Sequence, residues 1–379
     1  MNTQYIYTMK YWVLIVVIFA SCSNPIETAL SSKNELIKTV VSDIKKHEVQ
    51  ILFTQIDTSS SGEMIFTDYE YNVNTNQYFY PANTIKLPVA LLAAEFMDAN
   101  ENLNLDTPYI IGDDDNLHTV SDDIRQIFAV SDNESYNRLY EILGRDYINN
   151  RLREKVLNNT RVVHRLSTPE ADKASRSNIR FFPGYTEDVI ELKNQTDSDI
   201  TPVTIQGINK GKGYIEDGVL KESPMNFSEK NYFPLEEQHV LIKKLIAPEV
   251  FPAAERFDLS EESRTRLLSA MKALPREAKY TSPEYYDSYV KFFMYGDSKD
   301  AIPSNIKIYN KVGYAYGTLT ETAYIVDTEN DIRFILSATI LVNENAIFND
   351  DTYEYENIGI PFLAQLGREI YKQEKERRE

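Results

Sequence analysis

Cysteine is almost absent from this sequence, since Cys22 is the only one among 379 residues. A single cysteine cannot form an internal disulfide, which excludes a small disulfide-stapled scaffold. Four scattered histidines, without an HxH or HExxH spacing, do not supply a metal motif either. We therefore expect neither a metal nor another cofactor.

Positive charge is also scarce. Forty Lys and Arg residues stand against 58 Asp and Glu residues, a formal net charge of -18. Such a chain repels a phosphate backbone, so nucleic acid is not an expected partner. Hydrophobic residues at 42% and aromatic residues at 12% are typical of a folded chain that is long enough to bury a large core.

Long hydrophobic runs are missing except near the start of the chain. Residues 11–20 (YWVLIVVIFA) are too few to span a bilayer but match the apolar part of an export signal. The following FASC, ending at Cys22, resembles a bacterial lipobox. We expect residues 1–22 to be a lipoprotein signal peptide, Cys22 to carry lipid and residues 23–45 to be a tether. An ordinary secretory signal, or a buried core cysteine, is the alternative.

That expectation gives the protein a membrane partner through its lipid anchor and places it in the bacterial cell envelope. The sequence does not select between the periplasmic and the outer-membrane face as the location of the protein.

Periodicity predicts strands near both ends of the chain and helices between them. Strands are predicted over residues 50–56 and 64–71, as a hairpin, and over 305–310, 318–327 and 332–342. Helices are predicted over 84–98, within 121–160, and over 260–275 and 360–379. Residues 165–235 are polar and irregular, which indicates a long insertion with at most short strands.

This order predicts an α+β fold: an antiparallel sheet flanked by helices, built from both termini, with an inserted all-helical domain. The sheet subdomain would take residues 46–80 and 300–379. The helical subdomain would take residues 81–299, including the polar insertion.

Three short motifs carry the chemistry. They are Asn83-Thr84-Ile85-Lys86 at a helix start, Ser131-Asp132-Asn133 in the helical region, and Lys311-Val312-Gly313 near the end of a strand. In this order they resemble the SxxK, SDN and KTG motifs of penicillin-recognising serine enzymes, and most closely the class A β-lactamase-like family. The resemblance covers roughly residues 45–375.

The resemblance implies a β-lactamase/transpeptidase-like fold and a monomer that recognises a β-lactam or a peptidoglycan-derived peptide. In the family, the motif lysine that maps to Lys86 takes a proton from the nucleophile, and the serine that maps to Ser131 relays one to the leaving nitrogen. Asn133 would contact the substrate amide, and Lys311 would attract its carboxylate. The N–H groups of residue 83 and of Tyr314, just past Gly313, would form the oxyanion hole.

The nucleophile position departs from the family pattern because it is Asn83. A carboxamide is not deprotonated near neutral pH and forms no stable acyl ester, so acyl-enzyme chemistry should fail. Thr84 is rotated by ~100° around the helix and should point away from Lys86. Asn83 and Ser131 each have a structural alternative as a helix N-cap.

Two further departures concern substrate binding and deacylation. Val312 replaces the hydroxyl residue of KTG, which weakens recognition of a carboxylate. We find no ExxLN motif, and Glu170 is only a weak candidate for the glutamate that activates water.

Three functions therefore compete. One is a β-lactamase-like protein that is acylation-deficient but still binds its ligand. Another is an active β-lactam or peptide hydrolase that uses a different nucleophile. The last is a non-catalytic envelope lipoprotein that uses the fold only as an interaction surface.

Overall fold

The structure is a computed structural model that describes residues 24–184 and 189–379. The predicted signal peptide and Cys22 lie outside the described residues. Within the described ranges, no helix is both long and apolar enough to cross a membrane.

The helices and strands follow one another as predicted in broad outline. The helices are α1 (Pro25–Leu30), α2 (Glu35–Val41), α3 (Lys86–Asp98), α4 (Val120–Ala129), α5 (Asn133–Leu143), α6 (Arg145–Glu154), α7 (Leu235–Ile246), α8 (Glu261–Lys272) and α9 (Ile360–Arg378). The long strands are β1 (Gln50–Thr58), β2 (Met64–Tyr71), β10 (Ile306–Ala315), β11 (Thr318–Asp327) and β12 (Ile332–Leu341). The short strands are β3 (Tyr109–Ile111), β4 (Ile179–Phe181), β5 (Ile190–Leu192), β6 (Asn209–Lys210), β7 (Gly213–Glu216), β8 (Val219–Lys221), β9 (Met225–Asn226) and β13 (Ile347–Phe348).

The long strands form one antiparallel sheet in the order β10-β11-β12-β1-β2. Neighbouring residues of a strand point to opposite faces, so Leu336 and Ala338 pack with α9 while Ile335 faces the helical core. Helix α7 covers that second face, because its His239 contacts Ser337. The sheet joins both ends of the chain, which confirms the predicted fold class.

The predicted tether is wrong for the described part of residues 23–45. Asn24 caps α1 and Asn34 caps α2, each by accepting a backbone N–H. Ile26, Ile37 and Val40 are fully buried in the cluster that contains α9. Because α1 and α2 have only six and seven residues, their apolar spacing is too short to be read as helical periodicity.

The inserted part is not helical throughout. Its helices α3 to α6 and α8 share one core, but β3, β4 and β5 form a small sheet and β7, β8 and β13 another. A turn at Asp217-Gly218 joins β7 and β8, with φ of 50° and 75° at the two residues. Both central residues of a type I′ turn need positive φ, which explains the Asp-Gly pair. The boundaries of the two subdomains stay predictions.

Candidate functional site

The site is built where the start of α3 meets strand β10. Asn83 lies in a 3-10 turn over Ala82–Ile85 that continues into α3. A Cβ at Gly313 would lie 2.6 Å from the Asn83 nitrogen and 2.7 Å from the Pro81 oxygen. Glycine is therefore required for the strand to approach the turn so closely.

Lys86 reaches from α3 to the segment that begins α5. Its ammonium donates to the Ser131 oxygen at 2.5 Å, the Asn133 Oδ1 at 2.6 Å and the Asp132 oxygen at 3.1 Å. The side chain is fully buried. Three acceptors satisfy the three N–H groups of the charged form.

Ser131 connects Lys86 with Lys311. Its carbonyl accepts from Lys86, and its Oγ accepts from the Lys311 Nζ at 2.7 Å. The predicted N-cap role of Ser131 is wrong, because Asp132 caps α5 by accepting the Ser135 N–H at 2.7 Å. Ser131 instead has a φ of 58°, a left-handed conformation that is uncommon for a side chain other than glycine.

Lys86, Ser131, Asn133 and Lys311 thus form one hydrogen-bonded group, which we call the lysine cluster. Burial and repulsion from Lys311 lower the pKa of Lys86 well below its ordinary value. Burial, with repulsion from Lys291, lowers the pKa of Lys311 to about 7.

Lys291 and Glu321 lie next to this cluster and were not singled out from the sequence. Lys291 donates to Asn310 Oδ1 at 2.9 Å, and Asn310 in turn donates to Glu321 at 2.5 Å. Burial raises the pKa of Glu321 to about 7 and lowers that of Lys291 to about 8. Lys291 follows an irregular segment, so no periodic pattern marks it.

A cavity of about 440 Å³ borders the lysine cluster. Of the predicted site residues, Asn83, Asn133 and Tyr314 line it. Lys86 and Lys311 are at most 2% exposed. Lys86 contacts the cavity wall through Asn133, and Lys311 contacts Ser131 behind that wall.

Asn83 does not act as the predicted N-cap, because neither the 3-10 turn nor α3 has a side-chain cap. Asn83 instead lines the cavity. Thr84 is fully buried and its hydroxyl donates to the Pro81 oxygen at 2.7 Å. The structure gives this hydroxyl a backbone partner and no contact with Lys86.

The structure does not bring Glu170 to the cavity. Its side chain is 75% exposed and lies 3.6 Å from Lys173, whereas Ser167 and Ala171 on either side line the cavity. A carboxylate in a polar segment stays solvated unless a partner offsets its burial. Glu170 is therefore not positioned to activate water there.

The cavity has further walls that the sequence did not assign. His164, Arg165 and Lys230 line it, together with four tyrosines besides Tyr314: Tyr80, Tyr316, Tyr353 and Tyr355. His164 Nδ1 contacts the Arg165 oxygen at 2.5 Å, and burial lowers the pKa of His164 to about 4. The Tyr353-Glu354-Tyr355 pattern was the one sequence signal for this aromatic wall.

Comparison with known proteins gives one family match. Residues 33–192, which include Asn83, Lys86, Ser131 and Asn133, match a family model described as the beta-lactamase enzyme family. No curated protein matches the sequence.

Solved structures with a similar fold cover nearly the whole chain. A β-lactamase from Sphaerobacter thermophilus is 14% identical, with a TM-score of 0.50 over 92% of this chain and 96% of that one. PBP-A is 14% identical, with a TM-score of 0.54 over 93% and 96%. A mutant of PBP-A, in an acyl-enzyme complex with penicillin G, is 15% identical, with a TM-score of 0.53 over 93% and 96%. The fold is that of the β-lactamases and penicillin-binding proteins.

Proposed function

We propose that this protein is a β-lactamase-like lipoprotein that binds a β-lactam or a peptidoglycan-derived peptide without forming an acyl-enzyme. The observation that carries the proposal is the position of Asn83. It lies at the cavity beside a complete lysine cluster, where a nucleophilic serine would be needed.

Lys86 contributes to binding in the natural protein. Its three acceptors are the backbone oxygens of Ser131 and Asp132 and the Asn133 Oδ1. With an amide at residue 83 there is no hydroxyl proton for Lys86 to remove, whereas a serine at that position would supply one. In this arrangement Lys86 holds the Ser131–Asn133 segment in place against α3.

The ligand's amide carbonyl would lie near the N–H groups of residue 83 and Tyr314, with Asn133 beside its amide. Lys311 would act mainly through its electrostatic potential, because its Nζ already contacts Ser131 Oγ at 2.7 Å and the Val312 oxygen at 2.9 Å. We expect weak affinity, with Kd on the order of 0.1–10 mM for a carboxylate-bearing β-lactam.

Calorimetry with benzylpenicillin tests the binding step. The natural protein should bind, more weakly at high salt, and Lys311→Ala should reduce the affinity at least threefold. Lys307→Ala, on the same strand, should leave the affinity unchanged. If the natural protein does not bind benzylpenicillin, the result would favour the other function named above, a non-catalytic envelope lipoprotein that uses the fold only as an interaction surface.

An active hydrolase with another nucleophile is the second candidate, and one contact favours it. The Ser131 hydroxyl lies 2.7 Å from Lys311, whose pKa is lowered to about 7. A serine next to a lysine that is partly neutral at pH 7 is a feasible nucleophile and base. Intact mass after incubation with benzylpenicillin separates the two candidates: an adduct on the natural protein that disappears in Ser131→Ala would establish this hydrolase.

The lipid anchor is a separate part of the proposal and rests on Cys22 and the FASC sequence. Because α1 begins at Pro25, an anchor at Cys22 would hold the folded chain close to the membrane surface. Radiolabelled palmitate should be incorporated into the natural protein in growing cells. Equal labelling of Cys22→Ser would contradict the anchor.

A further inference from the structure

A second cleft, of about 570 Å³, opens between α6, residues 158–163 and residues 198–205. Three arginines line it, Arg145, Arg153 and Arg161, and we call it the arginine cleft. We propose that the arginine cleft binds an acidic saccharide, carboxylated or phosphorylated. This site is independent of the lysine cluster.

Arg145 carries a buried charge that has no carboxylate partner at its guanidinium. Arg145 is 4% exposed, and its guanidinium donates to the Val163 oxygen at 3.1 Å and to the Ser198 oxygen. Its Nε is buried without a hydrogen-bond partner in the described chain. The nearby Asp197 instead accepts the Arg145 backbone N–H and lies 3.4 Å from Arg176. A buried guanidinium normally has a carboxylate to offset its desolvation.

The other two arginines also contact only neutral oxygens. Arg161 donates to the Thr201 oxygen at 2.6 Å and to the Ser228 oxygen at 3.2 Å. Arg153 donates to the Asn150 side chain. Arg151, on the same helix, differs because it forms ion pairs with three carboxylates. Within the described residues, the three cleft arginines form no ion pair, so their charge is available to an anion.

The remaining groups of the cleft favour a ligand that also carries hydroxyl groups. Asp146 accepts the N–H and O–H of Ser198, both at 2.8 Å, and is part of the wall. Asp199 lies on the exposed rim, and side-chain amides and hydroxyls fill much of the remaining surface. Three arginines and two aspartates line the cleft, and the carboxylates of Asp197 and Glu237 lie behind its wall, where they accept from backbone N–H groups. Guanidinium groups recognise the anion, and carboxylate and amide oxygens accept hydroxyl protons.

To test the proposal, the natural protein is titrated with four probes. Binding is detected from the change in melting temperature and by NMR. The probes are a galacturonic acid oligomer, glucose 1-phosphate, galactose and inorganic phosphate. We expect saturable binding of at least one acidic sugar, with Kd on the order of 1 mM. Galactose and inorganic phosphate should bind at least fivefold more weakly than that sugar. Comparison of the first two probes tells whether the anion is a carboxylate or a phosphate.

Substitutions locate the binding. Arg153 is exposed, so Arg153→Glu should fold normally and reduce the affinity at least fivefold. Lys372→Glu makes the same charge change on α9, at a side chain that is 70% exposed, and should change the affinity less than twofold. Arg161→Gln, which keeps donors for the carbonyl oxygens, should also weaken binding.

Three results would overturn the proposal. The first is no saturable binding of either acidic sugar up to 20 mM, about twentyfold above the expected Kd. The second is equal binding of inorganic phosphate or galactose, which would remove the acidic saccharide as the ligand class. The third is an equal loss of affinity in Arg153→Glu and Lys372→Glu, which would indicate a general charge effect.

Discussion

Two polar groups among the described residues differ in access to a ligand cavity. The lysine cluster borders the cavity through Asn133, and Asn83 lines the same cavity. The second group lies between α7 and the sheet, and we call it the histidine cluster: Thr54, Asp68, His239 and Ser337. His239, Thr54 and Ser337 are at most 3% exposed, whereas the Asp68 side chain is 57% exposed and forms an ion pair with Lys243. The difference shows that access to a cavity, not residue type, distinguishes a candidate site from a structural network.

The histidine cluster has a hydrogen-bond order that superficially resembles a catalytic triad. Thr54 donates to Asp68 at 2.5 Å, so its oxygen accepts from His239 Nε2 at 2.6 Å. His239 Nδ1 is then the acceptor for the Ser337 hydroxyl at 2.8 Å. Burial lowers the pKa of His239 to about 3, which agrees with this neutral form.

The largest effect is expected from His239→Ala. It would leave the Thr54 and Ser337 hydroxyls buried without their partner and would open a cavity under α7. We expect a loss of about 2–4 kcal/mol in the free energy of unfolding, measured by urea denaturation. Affinity for benzylpenicillin at 25 °C should not change. His118→Ala, at a less buried histidine paired with Asp114, should cost less than about 1 kcal/mol.

Gly313→Ala tests whether the close approach of β10 to the turn before α3 is needed for ligand binding next to the lysine cluster. The new Cβ would meet backbone atoms of Pro81, Asn83 and Thr84 at 2.6 to 2.8 Å, and these atoms cannot move independently of the turn. We expect a loss of about 1–3 kcal/mol together with a loss of ligand binding. Gly62→Ala is the control, since nothing lies within 4 Å of its Cβ and only its φ of 86° is strained. Unchanged binding in Gly313→Ala would mean that β10 does not form part of the site.

A smaller effect concerns pH. Lys311 has a pKa of about 7 in the folded protein, below the ordinary value of 10.5. Between these values the unfolded chain binds more protons than the folded protein, so stability increases as the pH rises. From pH 7 to 9 this contribution should be about 2 kcal/mol. In Lys311→Met the free energy of unfolding should rise by about 2 kcal/mol less than in the natural protein between pH 7 and 9. If the free energies of unfolding of the two proteins change with pH in parallel, the lowered pKa of Lys311 would be contradicted.

The sequence predicted those parts of the fold and site that depend on local patterns. The hairpin of β1 and β2 and the three strands β10 to β12 follow from alternation. The three motifs also lie together, as the resemblance implied. Their roles stay predictions.

The other parts of the site depend on tertiary contacts, which no local sequence pattern predicts. Lys291 and Glu321 are separated by 30 residues and interact through Asn310. Lys230 reaches the cavity from the irregular insertion. The residue type of Asn83 left an N-cap open as an alternative, but the close approach of Gly313 determines its surroundings instead.

The most direct test of the central claim is intact mass spectrometry of Asn83→Ser after incubation with benzylpenicillin, with Asn83→Ala as the matched control. If Asn83 is the only missing part of the acylation machinery, Asn83→Ser should gain the mass of one benzylpenicillin, while the natural protein and Asn83→Ala gain none. The adduct should persist, since Glu170 is not placed to activate water. No adduct on a folded Asn83→Ser would contradict the claim that the lysine cluster is otherwise complete, and an adduct on the natural protein would contradict the loss of acylation.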